Sequence, residues 1–148
     1  YSYDVVDAVL SAGFHDLVQT VKKVKAMEDF KKRPDFEPLG VAFKRVCNII
    51  KGFENGRVDA SRFTQREEGA LYQAYLETRD RAGAFIDKGD YEQALRELAG
   101  MRKCVDEFFE AVLVMAEEGE VRFNRLSLLE AVSRLFYRIA DFSKIVTG

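Results

Sequence analysis

Tryptophan is absent from this chain of 148 residues, histidine occurs once, and cysteine and proline occur twice each. Each scarcity excludes something. Cys47 and Cys104 stand alone, with no CxxC and no Cys/His cluster, which excludes a disulfide framework and points to buried free thiols in a reducing cytoplasm. The lone His15 cannot complete a metal site with two distant cysteines, so none is expected. A single histidine, with no glycine-rich phosphate loop and no GxSxG, leaves the usual catalytic constellations without their parts. The isolated chain is therefore expected to be non-catalytic. No apolar run approaches the ~20 residues of a membrane span, and no signal peptide opens the chain. Tyr1 opens it in place of methionine, so it is expected to be a piece of a longer protein.

What is present is an ordinary globular balance, 47% hydrophobic and 32% charged. Residues 1–148 are expected to form one domain, which at this size buries roughly 70% of its unfolded surface without a disulfide or metal. The net charge of −2 hides an asymmetry. Residues 1–66 carry 12 basic against 9 acidic side chains, and residues 67–148 carry 11 against 16. Two readings are open: a mildly basic face for a polyanion, or two halves that happen to be unequal.

Both prolines, Pro34 and Pro38, sit in one linker, and elsewhere apolar residues recur at spacings of three and four. The fold class is therefore all-α, a helical bundle of about six to seven helices. Helices are expected over residues 3–12, stopped by Gly13, over 16–32, and over 38–51 with Pro38 in the first turn. Residues 52–61 read as a loop by their Gly, Asn and Asp content, with Phe53 and Phe63 at either end of the flexible stretch. Thr64-Gln65-Arg66-Glu67 has capping-box spacing and opens a helix to Asp87, ended at Gly89. A fifth helix from Asp90 weakens near Gly100, and a sixth spans 103–115. An acidic connector over 117–120 precedes a final helix over 124–144, with Asn124 as its N-cap.

On the third helix, 100° per residue groups Leu39, Phe43, Val46 and Ile50 on one face. Lys44, Asn48 and Lys51 fall opposite, with Arg45 at the side. Two cations around an amide suit RNA phosphates and base edges, and they equally suit a solvated face. In the last helix Leu128, Val132, Leu135, Ile139 and Phe142 form the apolar stripe. Arg122 and Arg125 flank Asn124, either pairing with the acidic connector or facing RNA. The core is expected to hold Phe43, Val46, Ile50, Leu128, Val132, Leu135 and Ile139.

Several stretches in order resemble one family: Tyr3-Asp4-Val5-Val6-Asp7-Ala8-Val9-Leu10, Ala42-Phe43-Lys44-Arg45-Val46-Cys47-Asn48-Ile49, Val105-Asp106-Glu107-Phe108-Phe109, Val112-Leu113-Val114-Met115, Asn124-Arg125-Leu126-Ser127-Leu128-Leu129 and Ala140-Asp141-Phe142-Ser143. Together they resemble the C-terminal region of bacterial glycyl-tRNA synthetase β subunits. That region is similar to the helical, DALR-type anticodon-binding domain of arginyl-tRNA synthetase. One departure bears on the fold, since Lys103-Cys104 stands where the family pattern has a proline-rich turn.

The resemblance implies a bundle that recognises the anticodon loop of glycine-isoacceptor tRNA. It implies no cofactor in this domain, ATP and magnesium in the parent ligase, and glycine activation in a separate α subunit. Two α and two β subunits would form a cytoplasmic heterotetramer. Glycine codons begin GG, so two anticodon bases are cytosines, which suit Asn, Arg and carboxylate partners. RNA contact is expected at Lys44, Arg45, Asn48, Lys51, Arg122 and Arg125. The alternative is a helical protein-interaction or subunit-assembly module without RNA binding.

Overall fold

Local sequence sets several of the helix ends. In the computed structural model, which describes residues 1–13 and 16–145, the elements are α1 (Tyr3–Ser11), α2 (Leu17–Lys31), α3 (Phe36–Ile49), α4 (Arg66–Asp87), α5 (Tyr91–Ala99), α6 (Arg102–Ala111) and α7 (Gly119–Tyr137). Short 3-10 turns occupy Ala60–Arg62 and Phe142–Lys144, and no strand occurs among the described residues. The Asp16 and Asp90 carboxylates accept from the backbone N–H of Gln19 and Gln93, satisfying orphan donors at the starts of α2 and α5. Gly89, at φ 74°, ends α4 in the left-handed region. The break between α5 and α6 survives without the proline turn, because the chain tightens at Gly100 and Met101, whose N–H groups donate to Glu97 and Leu98.

α4 lies along α5 and α6, α2 along α1 and α5, and α3 between α6 and α7. One apolar core joins them. Phe43, Val46, Leu128, Val132, Leu135 and Ile139 are buried as the helical phases predict, while Ile50, the C-cap of α3, is half-buried. Phe43 stacks on Phe136 with ring centroids 4.6 Å apart and meets Phe142 at 5.5 Å. Cys47 and Cys104 are free and half-buried; burial pushes the Cys47 thiol up to about 11, with Asp141 adding to the effect. His15 lies outside the described residues, as do residues 146–148.

Five boundaries differ from the sequence reading, the last three for a non-local reason. α3 begins two residues before Pro38, still within its first turn. The capping box is Gln65 with Glu68, one residue later than the spacing suggests. α6 ends at Ala111, Val112 is extended, and the chain turns at Val114 and Met115, with Val112 and Val114 buried and Leu113 and Met115 exposed. There the Ala111 and Leu113 carbonyls accept from the side chains of Gln65 and Arg125. α7 begins at Gly119, so Asn124 is interior to the helix and caps nothing. It also stops at Tyr137: the Asp141 N–H donates to the Ala8 carbonyl, and the chain turns there to insert Phe142 and Ile145 into the core.

Candidate nucleic-acid interface

A helix surrounded on every side cannot be strictly amphipathic, and α7 is buried at each position from Asn124 to Glu130. Its apolar side faces the core, while its polar side grips the segment between α3 and α4. Glu130 accepts from the Gly56 N–H at 2.9 Å, and Ser127 Oγ accepts from the Arg57 N–H at 3.0 Å. Asn124 bonds Asp59 twice, accepting from its N–H at 2.7 Å and donating to its carbonyl at 2.9 Å. Glu120 pairs with Arg62. Four positions of α7, three or four residues apart, thus hold residues 56–62 as a strap running antiparallel to the helix.

Gly56 makes the close approach possible. A Cβ there would stand 2.8 Å from both Phe53 Cε1 and Ser127 Oγ. The segment is therefore a fixed surface element and not the flexible loop its composition predicts. Phe53 and Phe63 are half-buried against the core, in edge contacts with Phe123 and Tyr72.

The six residues expected at RNA do not share one face. Lys44 is half-buried on α3, whereas Arg45 and Asn48 are exposed beside it, with Lys51 exposed just past the helix end. Arg45 lays its guanidinium over the Phe109 ring at 4.4 Å. Arg122 donates to the Ala116 carbonyl at 3.0 Å, which ties it to the connector and leaves it half-buried.

Arg125 is not on the surface. Its side chain is 7% exposed and its Nε donates to Glu68 Oε1 at 2.9 Å. Its Nη atoms donate to the Leu113 carbonyl, Thr64 Oγ1 and Gln65 Oε1. Burial raises the Glu68 carboxyl's affinity for a proton, but Arg125 and the N–H groups of Gln65 and Thr64 outweigh it and hold the pKa below the ordinary range. Arg125 is a structural tie between α4, α7 and the segment that follows α6, because a buried guanidinium must have its donors satisfied.

Residues that the sequence reading passed over complete the surface. Phe123, 43% exposed, sits on α7 between the strap and the solvent. Beside it Arg57, Arg62, Asp59 and Glu120 line a cleft of about 360 Å³. Arg62 is held by Asp59 at 3.2 Å and by Glu120. Arg57 has no ion pair among the described residues. Lys51 stands two residues before Phe53, whose ring meets Phe123 at 5.4 Å, so the end of α3 lies close to the cleft. The adjacent Arg122-Phe123-Asn124-Arg125 run was the available signal, obscured by starting the helix at Asn124.

The arrangement offers cations, an aromatic ring and carboxylates on a rigid scaffold. Among the described residues no group of three or more His, Cys, Asp or Glu could hold a metal ion, and no helix is long and apolar enough to cross a membrane. Residues 39–145 match the family described as the DALR anticodon binding domain. The chain is similar to the glycine–tRNA ligase beta subunit of Syntrophus aciditrophicus (strain SB), 56% identical over 147 residues, which are 99% of this chain and 21% of that protein. It is 50% identical over 143 residues to that of Geotalea uraniireducens (strain Rf4) and 46% identical over 145 residues to that of Trichlorobacter lovleyi, 96% and 98% of this chain and again 21% of each relative. The chain thus spans about a fifth of the length of these relatives. From α3 through the strap to α7, the matched stretch contains the whole surface just described, and the chain belongs to the DALR anticodon-binding domain family.

Proposed function

We propose that this domain binds the anticodon loop of glycine-isoacceptor tRNA as part of a glycine–tRNA ligase β subunit. The observation that carries the reading is the family match over residues 39–145, which covers α3 from Leu39 onward, the strap and α7. The similarity to glycine–tRNA ligase beta subunits over nearly the whole chain supports the choice of tRNA. In this reading the domain forms as one unit over residues 1–148, holds no cofactor and does no chemistry. Glycine activation, with ATP and magnesium, belongs to a partner α subunit of a cytoplasmic assembly of two α and two β subunits. Exposed Lys51 and Arg45 contact phosphates, Asn48 faces the loop beside them, and Lys44 and Arg122 stand at its margin. A net charge of −2 is compatible with this role, because phosphate contacts only position the loop and base contacts specify it.

The test is a titration with a glycine-isoacceptor anticodon stem-loop at several salt concentrations. Log affinity should fall linearly with log salt, and Lys51→Ala should flatten that slope by about 0.7 for a lost single-strand phosphate contact. Its effect should be the same for every anticodon, whereas Asn48→Ala should cost roughly 1–3 kcal/mol for the cytosine-bearing loop alone. Wild-type chain that shows no salt-dependent stem-loop binding, or that binds a helical peptide in its place, overturns the reading.

A further inference from the structure

Phe123 is an aromatic ring fixed on one side and open on the other. The edge of Phe53 meets it at 5.4 Å with the planes 63° apart, while the residue is 43% exposed and lines the cleft. Its position on α7 is rigid, because the next residue, Asn124, is buried and bonded twice to the strap. A side chain with two rotatable bonds, already ordered, loses little entropy on stacking.

The wall beside the ring carries a definite polar pattern. Arg62, a donor with no acceptor, lies between the Asp59 and Glu120 carboxylates, which only accept. Ser61 donates to Asp59 through both its hydroxyl and its N–H, and this holds the carboxyl ionised below its ordinary range. Arg57 projects from the strap without an ion pair among the described residues, on the same cleft. The volume, about 360 Å³, has room for one planar heterocycle with its sugar.

We propose that this cleft receives one unstacked cytosine of the bound RNA, with Phe123 stacking on its face, Glu120 and Arg62 reading its edge and Arg57 meeting the adjoining phosphate. The assignment rests on the anticodon-loop reading above. A carboxylate accepts from the exocyclic amino group of cytosine, and a guanidinium donates to the ring nitrogen and carbonyl beside it. Uracil reverses the first two of these: its carbonyl would face the carboxylate and its ring N–H would face the guanidinium. The ion pair between Arg62 and Glu120 thus presents the pattern that accepts one pyrimidine and opposes the other.

The absence of tryptophan supplies the experiment. Phe123→Trp places a single indole at the stacking position and keeps an aromatic partner for Phe53. Anticodon stem-loop titrated into this variant should quench its emission, and the same stem-loop made abasic at either cytosine in turn should show which base is stacked, by losing the quench. Phe123→Ala should weaken binding by roughly 5- to 150-fold, the range of base–aromatic stacking. Glu120→Gln should lower the preference for cytosine over uracil by roughly fivefold or more. Unchanged secondary structure by circular dichroism keeps the comparison clean. Should the stem-loop bind every variant alike, with no quench, the cleft is not the base site and anticodon-loop binding stands. Should wild type bind no stem-loop at all, both fall.

Discussion

Arg125 Nε lies 2.9 Å from Glu68 Oε1, and both side chains are sealed from solvent, at 7% and 1% exposure. Glu68 also accepts at 2.8 Å from the N–H groups of Thr64 and Gln65, so one carboxylate closes the start of α4 and anchors α7 to it. Removing either charge strands the other in a place water does not reach. Arg125→Met should destabilise the fold by about 3–5 kcal/mol in urea unfolding, and replacing Glu68 by Leu in the same chain should recover part of that loss.

The same pair sets an acid limit. The Glu68 carboxyl titrates below its ordinary value in the folded chain. A depressed folded pKa contributes stability that is fully present above the unfolded value of about 4.3 and is lost as pH falls through the folded value. The stability gap between wild type and Glu68→Gln should therefore be constant above about pH 5 and narrow as the solution is acidified further. Urea midpoints measured from pH 7 down to pH 3 check this, and a gap that widens on acidification would contradict it.

Two glycines should respond in opposite directions to the same substitution. Gly56→Ala forces a Cβ against Phe53, Ser127 and Glu130, so it should cost roughly 1–3 kcal/mol and loosen the strap. Gly69→Ala, inside α4 with nothing within 4 Å of the added carbon, should stabilise by about 0.5–1 kcal/mol. Thermal melts of the two variants against wild type are sufficient.

Asn124→Ala removes two hydrogen bonds from the strap backbone, and a destabilisation of about 1–3 kcal/mol is expected. Amide hydrogen exchange should report the change first at Asp59, whose N–H donates to the Asn124 side chain. Uniform exchange along the strap in wild type and variant would show that Asn124 does not hold it.

Phe43→Ala opens a cavity under both Phe136 and Phe142, and roughly 3–5 kcal/mol should be lost. Chemical denaturation followed by far-ultraviolet circular dichroism measures it.

Asn124 and Arg125 show where sequence reasoning stopped. An amide just after an acidic connector reads as an N-cap, and an arginine beside it reads as surface charge. Both are interior, because their partners, Asp59 and Glu68, lie 65 and 57 residues away. The strap is a parallel case. Gly52, Asn55, Gly56 and Asp59 make residues 52–61 read as a loose loop, whereas Gly56 is glycine because Glu130, 74 residues away, needs the approach. On α3 the local pattern was enough for Asn48 and Lys51, which are exposed, and not for Lys44 and Ile50, which are half-buried.

The sequence by itself determined the helices, their apolar faces and most of their ends, as well as the family to which the ordered motifs point. Those features follow from backbone preference and a 3.6-residue period, both settled within one or two turns. The tertiary structure decided where α6 and α7 stop, which of the six candidate side chains meet water, and that Phe123 looks into a cleft beside Arg62 and Glu120. Each of those outcomes is a choice of partner for a polar group or ring, and the partner is brought near only when distant helices pack.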